Sequence, residues 1–93
     1  MNNKEKHVLV FSATWCGPCR MMKSTVWNDP EVEEGLSKFD SVNFIDIDDP
    51  ETKQLVNMYN VSAVPTIYII DETGKPIKAE NTMDVSRTLN FLS

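Results

Sequence analysis

His7-Val8-Leu9-Val10-Phe11-Ser12-Ala13-Thr14-Trp15-Cys16-Gly17-Pro18-Cys19 carries a strand into a helix, with two thiols at the junction. His7 to Ser12 is apolar and rich in valine, the pattern of a strand covered on both faces. Gly17 and Pro18 punctuate the chain, and Pro18 sits where the first turn of a helix tolerates a missing N–H. Beyond it Cys19, Met22 and Val26 recur at helical spacing and give that helix one inward face. The chain holds 2 cysteines, and both lie in this stretch.

Outward from there, Asp29-Pro30-Glu31 is a helix start: an N-capping acid, proline at the first helical position and a second acid near the positive end. The first helix is therefore expected to break near Asn28, and Val32, Leu36 and Phe39 give the second piece an apolar side. Val42 to Ile47 is the next strand, with Phe44, Ile45 and Ile47 as its apolar residues. Asp49-Pro50-Glu51 starts another helix, with Leu55, Met58 and Tyr59 as the expected buried side. Val64 to Ile70 is the most β-prone run in the chain. Asp71 to Lys75 reads as a hairpin turn with Gly74 at a left-handed position, followed by a short strand from Pro76 to Ala79. Asn81 or Thr82 is the expected cap of a last helix that turns Val85, Leu89 and Leu92 inward. The predicted fold is α/β: one domain over residues 1–93, a mixed four-stranded sheet flanked by helices. Its first two strands are joined by a crossover and parallel; its last two form an antiparallel hairpin.

The chain has 93 residues, enough for one modest core. A net charge of -5 excludes a phosphate-backbone binder, which needs a basic face, so no nucleic acid is expected as a partner. No apolar run approaches the ~20 residues of a membrane crossing, and Val8 to Phe11 is shorter than a signal peptide's core. Met1 to Lys6 reads as a solvated lead-in. A cytoplasmic protein is expected, and there a disulfide is transient and catalytic rather than a staple.

A Cys-x-x-Cys at a strand end that opens a helix has a physical consequence. The first sulfur meets unpaired N–H groups and the positive end of the helix dipole, which favour an anion. That lowers a thiol pKa from its free value of about 8.5 and makes the thiolate a nucleophile at neutral pH. Cys16 is expected to be the exposed attacking thiol, and Cys19, one turn in, the more buried thiol that resolves the mixed disulfide. A zinc site needs four ligands, and 2 cysteines with 1 histidine fall short, so no metal is expected. His7 reads as a partly exposed residue at the head of its strand. Asp46, Asp48 and Asp49 read as solvated turn acids, with Asp49 already assigned to a cap. Trp15 is either a core aromatic or a groove wall beside the sulfur, and Trp27 reads as packing.

Phe11-Ser12-Ala13-Thr14-Trp15-Cys16-Gly17-Pro18-Cys19-Arg20-Met21 resembles the active-site segment of the thioredoxin family, and Val64-Pro65-Thr66 resembles its second signature. Asp48 and Gly74 also fit the family pattern. The resemblance implies a cis Val64–Pro65 peptide facing the cysteines, with Val64 offering its backbone to the substrate chain. It implies a dithiol–disulfide oxidoreductase that reduces protein disulfides. Cys16 attacks, Cys19 resolves, and Trp15, Gly17, Pro18, Val64 and Pro65 form the contact surface. Disulfide-containing proteins are then the substrates, and a thioredoxin-reductase-type or other thiol protein the electron donor. No organic cofactor, metal or membrane is involved, and a monomer is the default. The rivals are a glutaredoxin-like reductase, which wants a basic glutathione site, and a non-catalytic docking subunit.

Several positions depart from the family. Its usual first strand and helix have no room before His7. Its buried aspartate falls at Val10, that residue's lysine partner at Phe44, its helix-kinking proline at Ser24 and its late groove glycine at Thr82. The break from Trp27 to Pro30 is similar to thioredoxin-like domains of membrane thiol–disulfide relays and their soluble relatives. Without the buried carboxylate, the proton of Cys19 is expected to leave by water or through the sulfur of Cys16, giving slower resolution near neutral pH.

Overall fold

The computed structural model describes residues 4–81 and 84–93. Four strands, β1 (Lys6–Ser12), β2 (Ser41–Asp46), β3 (Thr66–Asp71) and β4 (Pro76–Glu80), form one sheet in the order β2-β1-β3-β4. β1 runs parallel to β2 and antiparallel to β3, and β3 pairs antiparallel with β4. The helices are α1 (Gly17–Ser24), α2 (Pro30–Leu36), α3 (Lys53–Met58, after a 3₁₀ turn over Pro50–Thr52) and α4 (Val85–Leu92).

β1 is central and its alternation builds two cores, because successive side chains point to opposite faces of a sheet. Val8 and Val10 pack with Ile67 and Ile69 against Met22, Val26, Val32, Phe91 and Leu92, the side of α1, α2 and α4. Leu9 and Phe11 pack with Ile45 on the other face, against Leu55, Val56 and Tyr59 of α3 and its end. The ring of Phe11 meets Tyr68 edge-on at 5.9 Å and Tyr59 at 6.2 Å. The continuous apolar run is thus what a two-sided strand needs.

Both acid-proline starts cap as expected. Asp29 Oδ1 accepts from the N–H groups of Glu31 (2.9 Å) and Val32 (3.2 Å), and Asp49 Oδ1 accepts from that of Glu51 (3.0 Å). Replacing Asp29 with alanine is expected to cost about 1 kcal/mol, read as a lowered urea midpoint at unchanged slope. Gly74 holds φ +88° in the hairpin turn, where an L side chain is strained, and its carbonyl accepts from the Tyr59 hydroxyl at 2.6 Å. Burial, and secondarily the Asp71 charge, pushes the Tyr59 hydroxyl pKa up. Hydrogen bonds, first from the Thr73 hydroxyl and then from the Lys75 N–H, hold the Asp71 carboxyl below its ordinary value.

Four local expectations are corrected. The first helix ends at Ser24, before Asn28; the Thr25 hydroxyl donates to the Met21 carbonyl at 2.8 Å, and the chain loosens into a turn that still buries Val26. Met58 is 66% exposed, because α3 turns Leu55, Val56 and Tyr59 inward and Met58 lies about 100° round the helix from their centre. The last helix is capped by Asp84, whose carboxylate accepts from the N–H of Ser86 at 2.7 Å, and not by Asn81; Thr82 lies outside the described residues. In that helix Phe91 joins Leu92 and Thr88 as the buried residues, with Val85 and Leu89 only partly covered. Among the described residues no helix is long and apolar enough to cross a membrane.

Candidate active site

Cys16 is the N-cap of α1, in extended backbone conformation, and Pro18 stands in the first turn. The N–H of Cys19 points at the Cys16 sulfur across 3.2 Å. This is the helix-start geometry expected to favour a thiolate there. The backbone turn is closed by the N–H of Cys16 donating to the Ala13 carbonyl (3.2 Å) and that of Arg20 to the Cys16 carbonyl (3.1 Å). Cys16 and Cys19 are joined as a disulfide with Cα atoms 5.2 Å apart.

The expected order of exposure does not hold in this oxidised state: Cys16 is 4% exposed and Cys19 8%. The cause is the covering over the first sulfur. Ala13, Ile47 and Val64 pack around the pair, and the Val64 carbonyl oxygen lies 3.7 Å from Cys16 Sγ. The Val64–Pro65 peptide is cis; Val64 is half-buried and Pro65 buried. Gly17 and Pro18 are exposed on the opposite rim. Trp15 is 64% exposed, which rules out the core reading and leaves it as a wall beside the sulfurs. Its indole N–H donates to Asp48 Oδ2 at 2.7 Å, so the ring is tethered. Asp48 and its neighbours are accounted for: the Asp48 N–H donates to Asp46 Oδ1 at 3.0 Å, and Asp49 caps the next turn. His7 lies at the strand head, half-buried, its ring nitrogens on Ser41 Oγ (2.7 Å) and Glu5 Oε1 (3.1 Å).

One residue of the site escaped the sequence reading. Asn81 Nδ2 donates to the Pro65 carbonyl (2.9 Å) and to Thr66 Oγ1 (2.8 Å), pinning the loop that faces the sulfurs. The β3–β4 pairing carries the signal, since Ile67 opposite Glu80 puts residue 81 beside residues 65 and 66. Asn81→Ala is expected to cost about 1 kcal/mol of stability and to raise KM for a disulfide substrate more than it lowers kcat, checked by urea titration and steady-state kinetics.

The model of the Thioredoxin family matches residues 1–93. The chain belongs to the thioredoxin family. It is 31% identical over 94 residues to Thioredoxin H2-1 of Oryza sativa, covering 98% of this chain and 63% of that protein. It is 37% identical over 71 residues to Thioredoxin H2 of Arabidopsis thaliana, covering 76% and 48%. The chain thus spans about half to two thirds of the length of these relatives. Among solved structures, the thioredoxin Deadhead of Drosophila aligns with TM-score 0.71 at 30% identity, over 92% of this chain and 76% of that one. A Thermus thermophilus thioredoxin aligns with TM-score 0.81 at 23% identity, over 95% and 71%, and supports the fold alone.

Of the positions that depart from the thioredoxin pattern, two are neighbours: Val10 and Phe44 are register partners on β1 and β2. Val10 is 1% exposed, while Phe44 is 57% exposed and leans edge-on against Trp27 with ring centroids 5.5 Å apart. Trp27 therefore does pack, as expected, between the core cluster of Val10 and Met22 and the surface-facing Phe44. Two clefts meet at Cys19. One, of about 360 Å³, includes Ser12, Arg20, Lys23 and Asp46 in its lining; the other, of about 420 Å³, includes Val10, Lys23, Trp27 and Phe44. Among the described residues no carboxylate lines the second cleft.

Proposed function

We propose that this chain is a dithiol–disulfide oxidoreductase that reduces disulfides in proteins. The observation that carries the reading is the Cys16–Cys19 disulfide at the N-cap of α1, under the Val64 carbonyl. In the reduced chain the Cys16 thiolate, stabilised by the Cys19 N–H and the helix start, attacks one sulfur of a substrate disulfide. The other substrate sulfur leaves as a thiolate and takes a proton from solvent. Cys19 then loses its proton and attacks Cys16 Sγ, so the second substrate thiolate leaves and the Cys16–Cys19 disulfide forms. Two electrons pass to the substrate, and a thioredoxin-reductase-type or other thiol protein returns them. Trp15, Gly17 and Pro18 on one rim and Val64 and Pro65 on the other form the contact surface, with the Val64 backbone pairing with an extended substrate segment.

The redox centre is the cysteine pair itself, with no organic cofactor or metal taking part. The net charge of -5 and the acids Asp46, Asp48, Asp49 and Glu51 disfavour both nucleic acid and the basic glutathione site of a glutaredoxin. A cytoplasmic monomer fits these features. Insulin-disulfide reduction driven by dithiothreitol or a thioredoxin reductase, but not by glutathione at equal reducing equivalents, is the supporting result. Preference for glutathione favours the glutaredoxin reading, and a cellular phenotype unchanged in the double Cys→Ser protein favours a docking subunit.

A further inference from the structure

The resolving step needs a thiolate at Cys19, and the position that supplies a buried acid elsewhere in the family is Val10. What the structure places around Cys19 is different. The groups facing it from α1 are Arg20 and Lys23, and from the end of β2 Asp46; Ser12 of β1 is uncharged. Lys23 follows Cys19 by four residues on one helix, a spacing that stacks side chains on the same face. It lines both clefts described at Cys19, and among the described residues no other cation lines both. Its competitors are occupied. The Arg20 guanidinium donates to the Thr14 carbonyl at 2.8 Å, and Asp46 Oδ1 is held by the Asp48 N–H. Lys23 has no hydrogen-bond or ion-pair partner among the described residues.

We propose that Lys23 is a positioning charge for the resolving step: its ammonium, carried by a side chain that lines the clefts beside Cys19, stabilises the Cys19 thiolate in place of a buried base that takes the proton. The inference rests on the dithiol mechanism above. In the mixed disulfide the Cys19 thiol releases its proton to solvent in the open cleft. The thiolate, opposite the Lys23 cation, forms the bond to Cys16 Sγ as the Cys16–substrate bond breaks. The departing substrate thiolate carries the electron pair away and is protonated from solvent. Asp46 acts in the opposite sense, its charge opposing the thiolate from across the first cleft.

The test uses the fact that Cys16→Ser leaves Cys19 as the only thiol. Its titration, followed by thiolate absorbance or by the pH dependence of iodoacetamide labelling, then reads Cys19 alone. In that background Lys23→Met is expected to raise the Cys19 pKa by about half a unit, an exposed cation acting through partly screened space. Lys23→Arg is expected to restore the parent value, and Asp46→Asn to lower it. In the two-cysteine protein, Lys23→Met is expected to move the alkaline-rising limb of disulfide turnover to higher pH by a similar amount. A Cys19 pKa in Lys23→Met that stays within 0.2 unit of the parent (roughly the precision of such titrations) or falls overturns the proposal. Loss of turnover in the unmodified chain would instead overturn the reductase reading, so the two failures are distinguishable.

Discussion

Cys16→Ser is expected to abolish disulfide turnover, at least about a thousandfold, while leaving the fold intact. The substitution is small, and the backbone around it is held by bonds that do not need the sulfur: Cys16 N to Ala13, Arg20 N to the Cys16 carbonyl. What it removes is the group that the helix start can ionise. A serine hydroxyl at the same N-cap accepts from the Cys19 N–H as readily, so the cap survives and the nucleophile does not. Cys19→Ser is expected to fail differently. Its Cys16 thiolate still attacks, and the reaction halts at a mixed disulfide that can be isolated by mass spectrometry from a mixture with oxidised insulin. Mixed disulfide formed through Cys19 in the Cys16→Ser protein, at a rate within tenfold of that through Cys16, would reverse the assigned roles. The near-equal burial of the two sulfurs in the oxidised chain makes this a sharp question, because exposure alone does not choose between them.

The helix start is the asymmetry between the two, and it is legible from sequence. Strand, glycine-proline punctuation and helix-spaced residues fix which cysteine stands at the helix start, and the structure places Cys16 there. The same local signals located the two acid-proline caps, the left-handed Gly74 and the two-faced β1. The misses share a physical origin in contacts distant along the chain. Cys16 is covered by the Val64 loop, 48 residues on, and no local pattern reports that contact. Asn81 has the chemistry of a helix cap, and only the hairpin's register reveals that its amide serves Pro65 instead. Met58 is exposed against the expected stripe, and Phe91 is buried beyond it, because a helix this short fits more than one apolar stripe and the packing partner selects among them. Nothing local in the sequence sets Lys23 apart, and only the clefts that it and Cys19 line together bring it into view.

Val10→Asp is expected to destabilise the protein by about 3 kcal/mol at pH 7, a large share of the stability of a domain this size. Aspartate is smaller than valine by about a methylene, so a packing loss adds to the penalty, but its larger, pH-dependent part is electrostatic. Val10 is 1% exposed, packed with Met22, Val26 and Ile67, and its cross-strand partners are Phe44 and Ile67. None of these side chains donates a hydrogen bond. Desolvation raises the folded-state pKa of such a carboxyl above its unfolded value near 3.9. The folded protein then holds the proton more tightly than the unfolded one, so the charge penalty is absent below pH 3.9. Stability is lost as pH rises through the raised pKa and levels off above it. Urea titrations between pH 4 and 8 should therefore show a falling stability relative to the parent; a constant difference would mean that the carboxylate finds water or a partner at once. Among the described residues the one cation lining the cleft beside Val10 is Lys23, so it is the partner to test. Val10→Asp combined with Lys23→Met is expected to be less stable than the sum of the single changes, because the second removes the charge that partly offsets the first. The same Val10→Asp protein should also gain a second titration in the pH–rate profile of disulfide reduction, one not expected of the parent, as a carboxylate beside Cys19 begins to accept its proton. A parent profile that already carries that titration would show that some other buried acid serves Cys19, and that the Val10 site is not where the chemistry departs from the family.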